Sequence, residues 1–318
     1  MNKFIVSYAP HVRSAKSTKQ LMADVVIALM PALAAAIYFF GLPALIHTAV
    51  CVASCVFFEW LWEKVFKLPC TIGDFSAIIT GILLAFNMPV SVPYWLGIPG
   101  SAFAIIIVKM FFGGLGNNFV NPALAGRVFM LVSWPVLMTG WTKPGFTASL
   151  VTDAVSTATP LGALAEGGEA TFSYMQMFLG NIGGCMGEVS TLAILIGFVY
   201  LLVRKVITWR IPVIYVGVVY VLSTILGQDG LYHILSGGLM LGAVFMATDY
   251  VTSPMSATGH IIYAVGLGIL TVVIRVYGAL PEGVSYSILL MNIVSPLIDT
   301  YTKNRIYGKP KTGGKSNG

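Results

Sequence analysis

Long apolar runs, separated by short polar intervals, make up most of this chain. Ten of the runs are close to the length that a helix needs to cross a bilayer, roughly 17 to 25 residues. Their approximate bounds are 20–42, 44–63, 72–88, 98–114, 122–140, 188–203, 211–227, 231–248, 260–278 and 284–299. The pattern predicts an all-α integral membrane protein with about ten transmembrane helices.

One long polar interval, 141–187, divides the ten runs into two groups of five. Inside it, the stretch 172–187 is apolar, rich in glycine and too short to span a membrane. We interpret this stretch either as a half-helix that dips into the membrane or as a surface helix. A half-helix is tolerated at membrane depth only where other parts of the protein cover its open backbone.

Two groups of five helices are typical of an inverted repeat, in which the halves have opposite orientations in the membrane. A shift of 161 residues superposes identical residues at four places. The superposed pairs are Gly81 and Gly242, Pro93 and Pro254, Met130 and Met291, and Pro135 and Pro296. Total identity along this alignment is near chance, so the repeat is a hypothesis.

We therefore predict five parts: a cytoplasmic N-terminal segment (1–19), a first five-helix bundle (20–140), an outer loop with the candidate half-helix (141–187), a second five-helix bundle (188–299) and a cytoplasmic tail (300–318). Lysine and arginine decide the orientation, because they are enriched in cytoplasmic loops. With both termini in the cytoplasm, all of them lie on the inner side except Lys109, Lys143 and Arg275. We expect the chain to lie in the inner (cytoplasmic) membrane of the cell, with Thr159 on the outer side.

Composition excludes a soluble protein. Hydrophobic residues make up 57% of the 318 residues and charged residues 9%, and the mean hydropathy is +0.86. A soluble protein would carry roughly a quarter charged residues. The net charge of +6 comes from residues that flank the apolar runs. The expected partner of these residues is therefore membrane lipid and not nucleic acid.

No residue pattern indicates an autonomous catalytic site or a metal site. The sequence lacks the phosphate-binding loop, the dinucleotide-binding G-x-G-x-x-G and the nucleophile elbow G-x-S-x-G. Cys51, Cys55, Cys70 and Cys185 form no C-x-x-C pair, and no histidine lies at ligand spacing from them. Cys51 and Cys55 share a helix face, and we interpret them as small packing residues and not as ligands of zinc or an iron–sulfur cluster.

Among the ionisable residues within the apolar runs or at their ends, four are singled out: Asp74, Lys109, Glu188 and Asp249. Ionisable groups are costly at membrane depth unless they are paired or solvated, so each is a functional candidate. The alternative for Asp74 and Asp249 is that they mark the membrane interface, and for Lys109 that it extends to the inner surface. Glu188, which opens the sixth run among glycines, is the stronger candidate.

A second polar group is the stretch 113–127, where three asparagines lie within five residues, ahead of Pro122. Amide donors and acceptors suit the edge of a flavin or a quinone, because both rings carry carbonyl groups. The alternative is ordinary loop and helix-cap chemistry, since proline is common at the first position of a helix.

The hydroxyl-rich stretch DAVSTATPL (153–161) completes a set of motifs that resembles the RnfD/NqrB family along nearly the whole chain. The other motifs are GGLGNNFVNPALAGR (113–127), GGCMGEVS (183–190), GAVFMATDYVTSP (242–254) and PEGVSYSILLMNIVSPLID (281–299). The length and the short polar N-terminal segment are more similar to the RnfD branch than to the longer NqrB branch. Members of this family are integral subunits of ion-translocating ferredoxin:NAD and NADH:quinone oxidoreductase complexes.

The resemblance implies two flavin cofactors. Thr159 is expected to carry a covalent FMN in phosphoester linkage on the outer side, attached by a flavin transferase. The remaining motif residues are Asp153, Ser156, Thr157, Ala158 and Pro160, and Thr157 stands where the family often has glycine.

Gly183, Gly184 and Glu188 match the family's element near the covalent flavin. A second flavin, non-covalent riboflavin, is expected nearer the inner side, where Asn118 and Asn121 match the family's asparagines.

These expectations describe a membrane subunit of an Rnf-type complex that transfers electrons through its flavins between partner subunits, coupled to Na⁺ or H⁺ transport. Such a chain is part of an oxidoreductase and not an autonomous enzyme. Without the resemblance, ten spans, broken helices and scarce charges also fit a secondary transporter or a channel that has no redox function. A structural scaffold is the third alternative.

Overall fold

The computed structural model describes residues 17–142, 144, 159–165, 172–278 and 283–302. Regular structure in these ranges is helical, and no β-strand is present in them. The expectation of an all-α membrane architecture is confirmed for the described residues.

The described residues of the first half form six helices, and one of these continues in a π-helix. They are α1 (Thr18–Phe40), α2 (Leu42–Val65), α3 (Ser76–Phe86), α4 (Gly97–Ala102) with its π-helical continuation Phe103–Met110, α5 (Pro122–Ser133) and α6 (Pro135–Met138). Short 3₁₀ turns, Ile72–Asp74 and Tyr94–Leu96, precede α3 and α4.

Eight helices follow in the described residues from Thr159 to Thr302. They are α7 (Pro160–Ala165), α8 (Tyr174–Leu179), α9 (Thr191–Val203), α10 (Arg210–Ile225), α11 (Gly230–Leu235), α12 (Leu239–Leu241) with its π-helical continuation Gly242–Met246, α13 (Ala257–Tyr277) and α14 (Val284–Tyr301).

Polar side chains fix the first residues of several helices. Ser17 forms a reciprocal capping box with Gln20 at the start of α1, and Ser190 and Ser256 each accept a backbone hydrogen bond at the start of α9 and α13. These caps satisfy N–H groups that have no partner in the first helical turn. The long helices therefore begin where the sequence supplies an acceptor.

Three of the described helices are long and apolar enough to cross a membrane: α1, α2 and α13. Each of the ten predicted runs corresponds to helical structure, but several are shorter or divided. The third run contains only the 11 residues of α3, and the fifth is divided at Trp134 between α5 and α6.

The prediction that Glu188 opens the sixth transmembrane helix is wrong. The helix begins at Thr191, because Ser190 supplies the cap, and Glu188 lies in the irregular backbone before it. The eighth run is broken as well: α11 ends at Leu235, Gly237 and Gly238 follow with positive φ of 53° and 33°, and α12 begins at Leu239. Left-handed backbone favours glycine, so the two glycines explain the position of this break.

Neither alternative for 172–187 describes the structure fully. Only Tyr174–Leu179 is helical, and four of its six residues are exposed. The following backbone, 182–190, is buried and irregular. It pairs with the end of α3, because the amides of Met186 and Gly187 donate to the carbonyls of Met88 and Phe86 at 3.1 and 3.0 Å. Protein therefore covers the open backbone, as a membrane environment requires.

Corresponding helices in the two halves have corresponding neighbours. In the first half, α5 packs on α4 and its π-helical continuation, with Met130 directly over Gly100. In the second half, α14 packs on α13, with Met291 over Gly266. The packing thus resembles a repeat at the aligned methionines, and the opposite orientation of the halves in the membrane stays a prediction.

Helices α1 and α9 form the main contact between the two halves. Gly197 of α9 packs directly on the carbonyl group of Ala28 in α1, and a Cβ atom at this glycine would collide with that oxygen. The crossing is therefore a backbone-to-backbone approach that only glycine permits.

Replacing Gly197 with alanine should destabilise the protein by about 1–3 kcal/mol, because the added methyl group overpacks the α1–α9 crossing. The matched control is Gly217→Ala in α10, where nothing lies within 4 Å of the position that the added methyl group would take. That control should be neutral or slightly stabilising, because alanine has the higher helix propensity. Thermal unfolding in detergent measures both, and equal melting temperatures for the two variants would contradict the close crossing.

Candidate functional site

Thr159 is the one hydroxyl residue of the predicted attachment motif that the structure describes. It precedes α7, its side chain is only 8% exposed, and its Oγ1 accepts a hydrogen bond from the Gly162 amide at 3.0 Å. Pro160 begins the helix and is buried. Asp153, Ser156, Thr157 and Ala158 lie outside the described residues.

Helix α7 docks on the broken eighth segment. The hydroxyl of Tyr232 in α11 donates to the Pro160 carbonyl at 3.2 Å. Leu161 packs over Gly237, where an added Cβ would stand 2.5 Å from its Cδ1 atom. Thr159 is therefore held beside the Gly237–Gly238 break.

Glu188 reaches the same break from the other side. Its Oε1 accepts from the Cys185 amide at 2.9 Å, and added Cβ atoms at Gly184 and Gly238 would lie 3.1 and 2.9 Å from its two carboxylate oxygens. Gly183 is buried next to this pair.

The second carboxylate oxygen of Glu188 is buried and finds no hydrogen-bond partner among the described residues. A buried oxygen without a partner is costly, so the geometry favours a donor supplied by something that binds there.

Arg275 supplies hydrogen-bond donors to the backbone carbonyls that the break leaves open. Its guanidinium donates to the carbonyls of His233, Ser236 and Gly237 at 2.7, 3.2 and 2.8 Å. Sequence reasoning treated Arg275 only as one of two basic residues on the outer side and did not consider Tyr232. The available signal was the Gly237–Gly238 pair, which interrupts an apolar run and so requires donors for the carbonyls left open. We call Thr159, Leu161, Glu188, Tyr232, Gly237, Gly238 and Arg275 the threonine cluster.

A side-chain hydrogen bond also connects α8 with the start of α11. Tyr174 of α8 donates a hydrogen bond to Asp229, which caps α11 through the amides of Leu231 and Tyr232. The hydrogen bond to Asp229 raises the pKa of the Tyr174 phenol above its ordinary value. This contact fixes α8 against the segment that carries Tyr232.

The two asparagines line a cavity that shares no residue with the threonine cluster. The space between its atoms is about 830 Å³, counting its open mouth. Polar residues from both halves line it, and these are Ser76, Thr80, Lys109, Asn118, Asn121, Thr248 and Asp249. We call it the asparagine cavity.

Asn121 and Asn118 differ in what they leave for a ligand. Asn121 Oδ1 caps α5 by accepting from the amides of Ala123 and Leu124 at 3.1 and 3.3 Å, so the helix-cap interpretation is correct for this residue. Asn118 Nδ2 donates to the Val120 carbonyl at 3.1 Å. Asn121 therefore both caps α5 and lines the cavity, with its Oδ1 already used by the cap. Asn118 lines the same wall, with its Nδ2 already used by Val120.

The threonine cluster and the asparagine cavity lie at opposite ends of the same two segments. Helix α9 begins three residues after Glu188, and Leu201 near its other end lines the cavity. Ten residues of helix correspond to about 15 Å. The eighth segment likewise runs from the Gly237–Gly238 break to Val244 and Thr248 in the cavity wall.

Arg127 of α5 forms hydrogen bonds with residues that lie between the threonine cluster and the asparagine cavity. Its guanidinium donates to Asn87 Oδ1 at 3.1 Å and to Ser285 Oγ at 2.8 Å, and lies 3.6 Å from Cys185 Sγ. Because Cys185 also donates its amide to Glu188, polar contacts continue from the threonine cluster to the end of α3.

The remaining ionisable candidates have local partners. Lys109 is 3% exposed and bonds Glu59 Oε2 at 2.7 Å, so the expectation that it extends to the inner surface is wrong. Asp74 accepts from the amide and hydroxyl of Ser76 at the start of α3. Asp249 accepts from Thr252 Oγ1 and lies in the cavity wall.

The four cysteines form no disulfide. Cys51, Cys55 and Cys185 are buried and Cys70 is exposed. Across the described ranges, no group of three or more histidine, cysteine, aspartate or glutamate side chains could hold a metal ion.

Comparison with known proteins shows the family of the chain. The sequence model of the NQR2, RnfD, RnfE family matches residues 5–308, almost the whole chain. The chain belongs to this family. The chain is 53% identical, over 310 residues and 96% of each protein, to the D subunit of the Na⁺-translocating ferredoxin:NAD⁺ oxidoreductase complex of Acetobacterium woodii.

Other members of the family are similar over the same length. The D subunit of the proton-translocating ferredoxin:NAD⁺ oxidoreductase complex of Clostridium ljungdahlii is 45% identical, covering 96% of this chain and 97% of the relative. The D subunit of the ion-translocating oxidoreductase complex of Stutzerimonas stutzeri is 37% identical, covering 93% and 94%. The resemblance read from the motifs is thus confirmed, including its RnfD branch.

Replacing Arg275 with methionine should destabilise the protein by about 3 kcal/mol or more, because three carbonyls at the break lose a charged donor. Lys64→Met serves as the control, since Lys64 is exposed near the end of α2. Thermal unfolding in detergent and protease cleavage between α11 and α12 report the change. Equal stability of the two variants would show that Arg275 does not hold the break.

Proposed function

We propose that this chain is the RnfD-type membrane subunit of a ferredoxin:NAD⁺ oxidoreductase complex that translocates ions. In this proposal Thr159 carries FMN covalently, and the asparagine cavity holds riboflavin. The names of the similar proteins support the complex. The flavins are proposed from the residues of the two sites and from the motif resemblance.

The observation that carries the proposal is the pair of polar sites at opposite ends of α9. One contains Thr159 and a buried Glu188 oxygen that needs a donor, and the other contains two asparagines in a sizeable cavity. Amino-acid side chains at these sites do not themselves carry electrons through a membrane, so a bound cofactor must supply that chemistry. Two cofactors about 15 Å of helix apart would divide the path across the membrane into two steps.

The residues of the threonine cluster fit a covalent flavin. After esterification, Thr159 Oγ1 keeps a lone pair that the Gly162 amide can still contact. Glu188 offers an acceptor to a ring N–H, and the glycines on either side of it leave its oxygens unobstructed by side chains. The cluster therefore has an attachment atom and a hydrogen-bond acceptor.

The asparagine cavity fits a ring with several carbonyl groups. Apolar side chains such as Leu21, Leu83 and Phe245 provide most of its wall, as in small-molecule sites generally. The Asn118 and Asn121 amides and the Thr80 and Thr248 hydroxyls supply a few polar contacts that fix orientation.

The partners follow from this role. Other subunits of the complex would deliver and accept electrons at the two ends, and a flavin transferase would attach FMN. Similar proteins are named for Na⁺ in one case and for protons in another, so either ion is compatible with the family. Coupling would arise if charge on a cofactor favours one arrangement of the two halves over another.

Replacing Thr159 with alanine should abolish covalent flavin, because no other atom replaces its Oγ1 as the attachment point. The measurement is flavin fluorescence of the subunit on a denaturing gel, together with its intact mass, after co-expression with a flavin transferase. Thr157→Ala is the matched control and should retain the full FMN mass.

A parent chain without added mass would contradict the flavin proposal and favour a transporter or channel. Modification that survives in Thr159→Ala would show that another residue carries the flavin.

Asn118→Ala should weaken non-covalent flavin binding about tenfold, as expected for one lost buried hydrogen bond of roughly 1.4 kcal/mol. Asn117→Ala is the control, because Asn117 is an exposed residue of the same loop. Flavin released by denaturing the purified complex is quantified by chromatography, apart from the covalent FMN. Equal riboflavin in both variants would exclude Asn118 from the binding site.

A further inference from the structure

Two glutamates lie buried next to the asparagine cavity, on one face of α2 and four residues apart. Glu59 is 0% exposed and Glu63 is 3% exposed. Lys109 bonds Glu59 Oε2 at 2.7 Å and Ser76 Oγ at 2.6 Å. The ammonium group of Lys109 is thus paired with Glu59, and the contacts of Glu63 are with Thr71.

Thr71 bridges the two carboxyl groups. Its Oγ1 lies 3.1 Å from Glu59 Oε1 and 2.5 Å from Glu63 Oε1, and its amide donates to the same Glu63 oxygen at 2.8 Å. A hydroxyl group has one proton and can donate to only one of two acceptors. The other glutamate oxygen therefore has no donor in Thr71 Oγ1 unless a further proton is present.

Charge counting leads to the same requirement. With both glutamates ionised and Lys109 charged, the buried group would have a net charge of −1, and burying an uncompensated charge is costly. The nearby Asp74 carboxylate, which contacts Ser76, adds negative charge and not positive. Lys64 and Lys19 are directed elsewhere, over the rings of Trp60 and Phe75.

The second oxygen of Glu63 indicates where the proton resides. Glu63 Oε2 is buried and contacts no hydrogen-bond partner in the part of the chain that the structure describes. As the carbonyl oxygen of a neutral acid, this atom costs much less to bury than as half of a carboxylate. Glu59, by contrast, has Lys109 as its counter-ion.

We propose that Glu59, Thr71 and Glu63 form a proton-binding site in which Glu63 holds one proton. The Glu63 acid donates to Thr71 Oγ1, the Thr71 hydroxyl donates to Glu59 Oε1, and Glu59 stays ionised against Lys109. This assignment gives every short oxygen–oxygen contact one hydrogen.

The site connects the protein surface with the asparagine cavity. Thr71 is exposed, so the proton can exchange with water, and Ser76 and Lys109 at the other end line the cavity. Resting on the proposed flavin in that cavity, this arrangement would let the site take up or release a proton as charge in the cavity changes. The proton in the resting protein does not depend on that flavin.

The test is infrared difference spectroscopy of the purified, oxidised complex at neutral pH, with the parent compared with Glu63→Gln. The difference spectrum should contain the carbonyl band of one protonated carboxylic acid, and this band should shift in D₂O. Asp24→Asn is the matched control: Asp24 is a buried acid paired with Arg204, so its difference spectrum should show carboxylate bands only. If the Glu63→Gln difference also shows carboxylate bands only, Glu63 is ionised and the proposal is wrong.

Thr71→Val provides a second measurement that keeps both acids and does not depend on the stability of the glutamine variant. Without its hydroxyl partner, the protonated Glu63 should show its carbonyl band at higher wavenumber. An unchanged protonated-acid region in Thr71→Val would equally overturn the proposal. Flavin content measured on the same samples separates this result from the proposed function, since the band is expected with or without riboflavin.

Discussion

Backbone groups left open by interrupted helices must find partners within the protein, because lipid offers none. Two interruptions dominate this molecule. Arg275 supplies donors to the carbonyls of the Gly237–Gly238 break, and the carbonyls of Phe86 and Met88 at the end of α3 accept from the irregular backbone around Gly187. Each closure joins parts of the chain that are far apart in sequence, so the helix breaks also determine which segments meet.

These closures position the polar residues. Because the backbone around Gly187 is drawn to the end of α3, Glu188 lies against Gly238 and not on a lipid-facing helix. Because α11 stops short of α12, Tyr232 is available to hold Pro160, and Thr159 with it. The chemistry proposed for the threonine cluster therefore depends on donors and glycines that contact no ligand.

The sequence was informative wherever the signal is local. Apolar runs predicted the helical segments, and Pro122 after three asparagines indicated the cap that Asn121 forms. Pairings between distant residues were not predictable in the same way. Lys109 and Glu59 are 50 residues apart, and nothing near either one shows that it has a partner.

Arg275 illustrates the same limit. Counting charges assigned it to a membrane surface, whereas the structure buries it on carbonyls 38 to 42 residues away. Charge counting describes the side of the membrane on which a residue is expected. It contains no information about broken helices, which create the demand for a buried donor.

If Thr159 carries the proposed FMN, its burial sets an order of events during biogenesis. The residue is 8% exposed once α7 is packed under Tyr232 and over Gly237. An enzyme that esterified its hydroxyl would need access to it from outside, so attachment would have to precede the docking of α7. Helix α7 would then dock only after the flavin is attached. A chain that folds completely before it meets the transferase would stay unmodified.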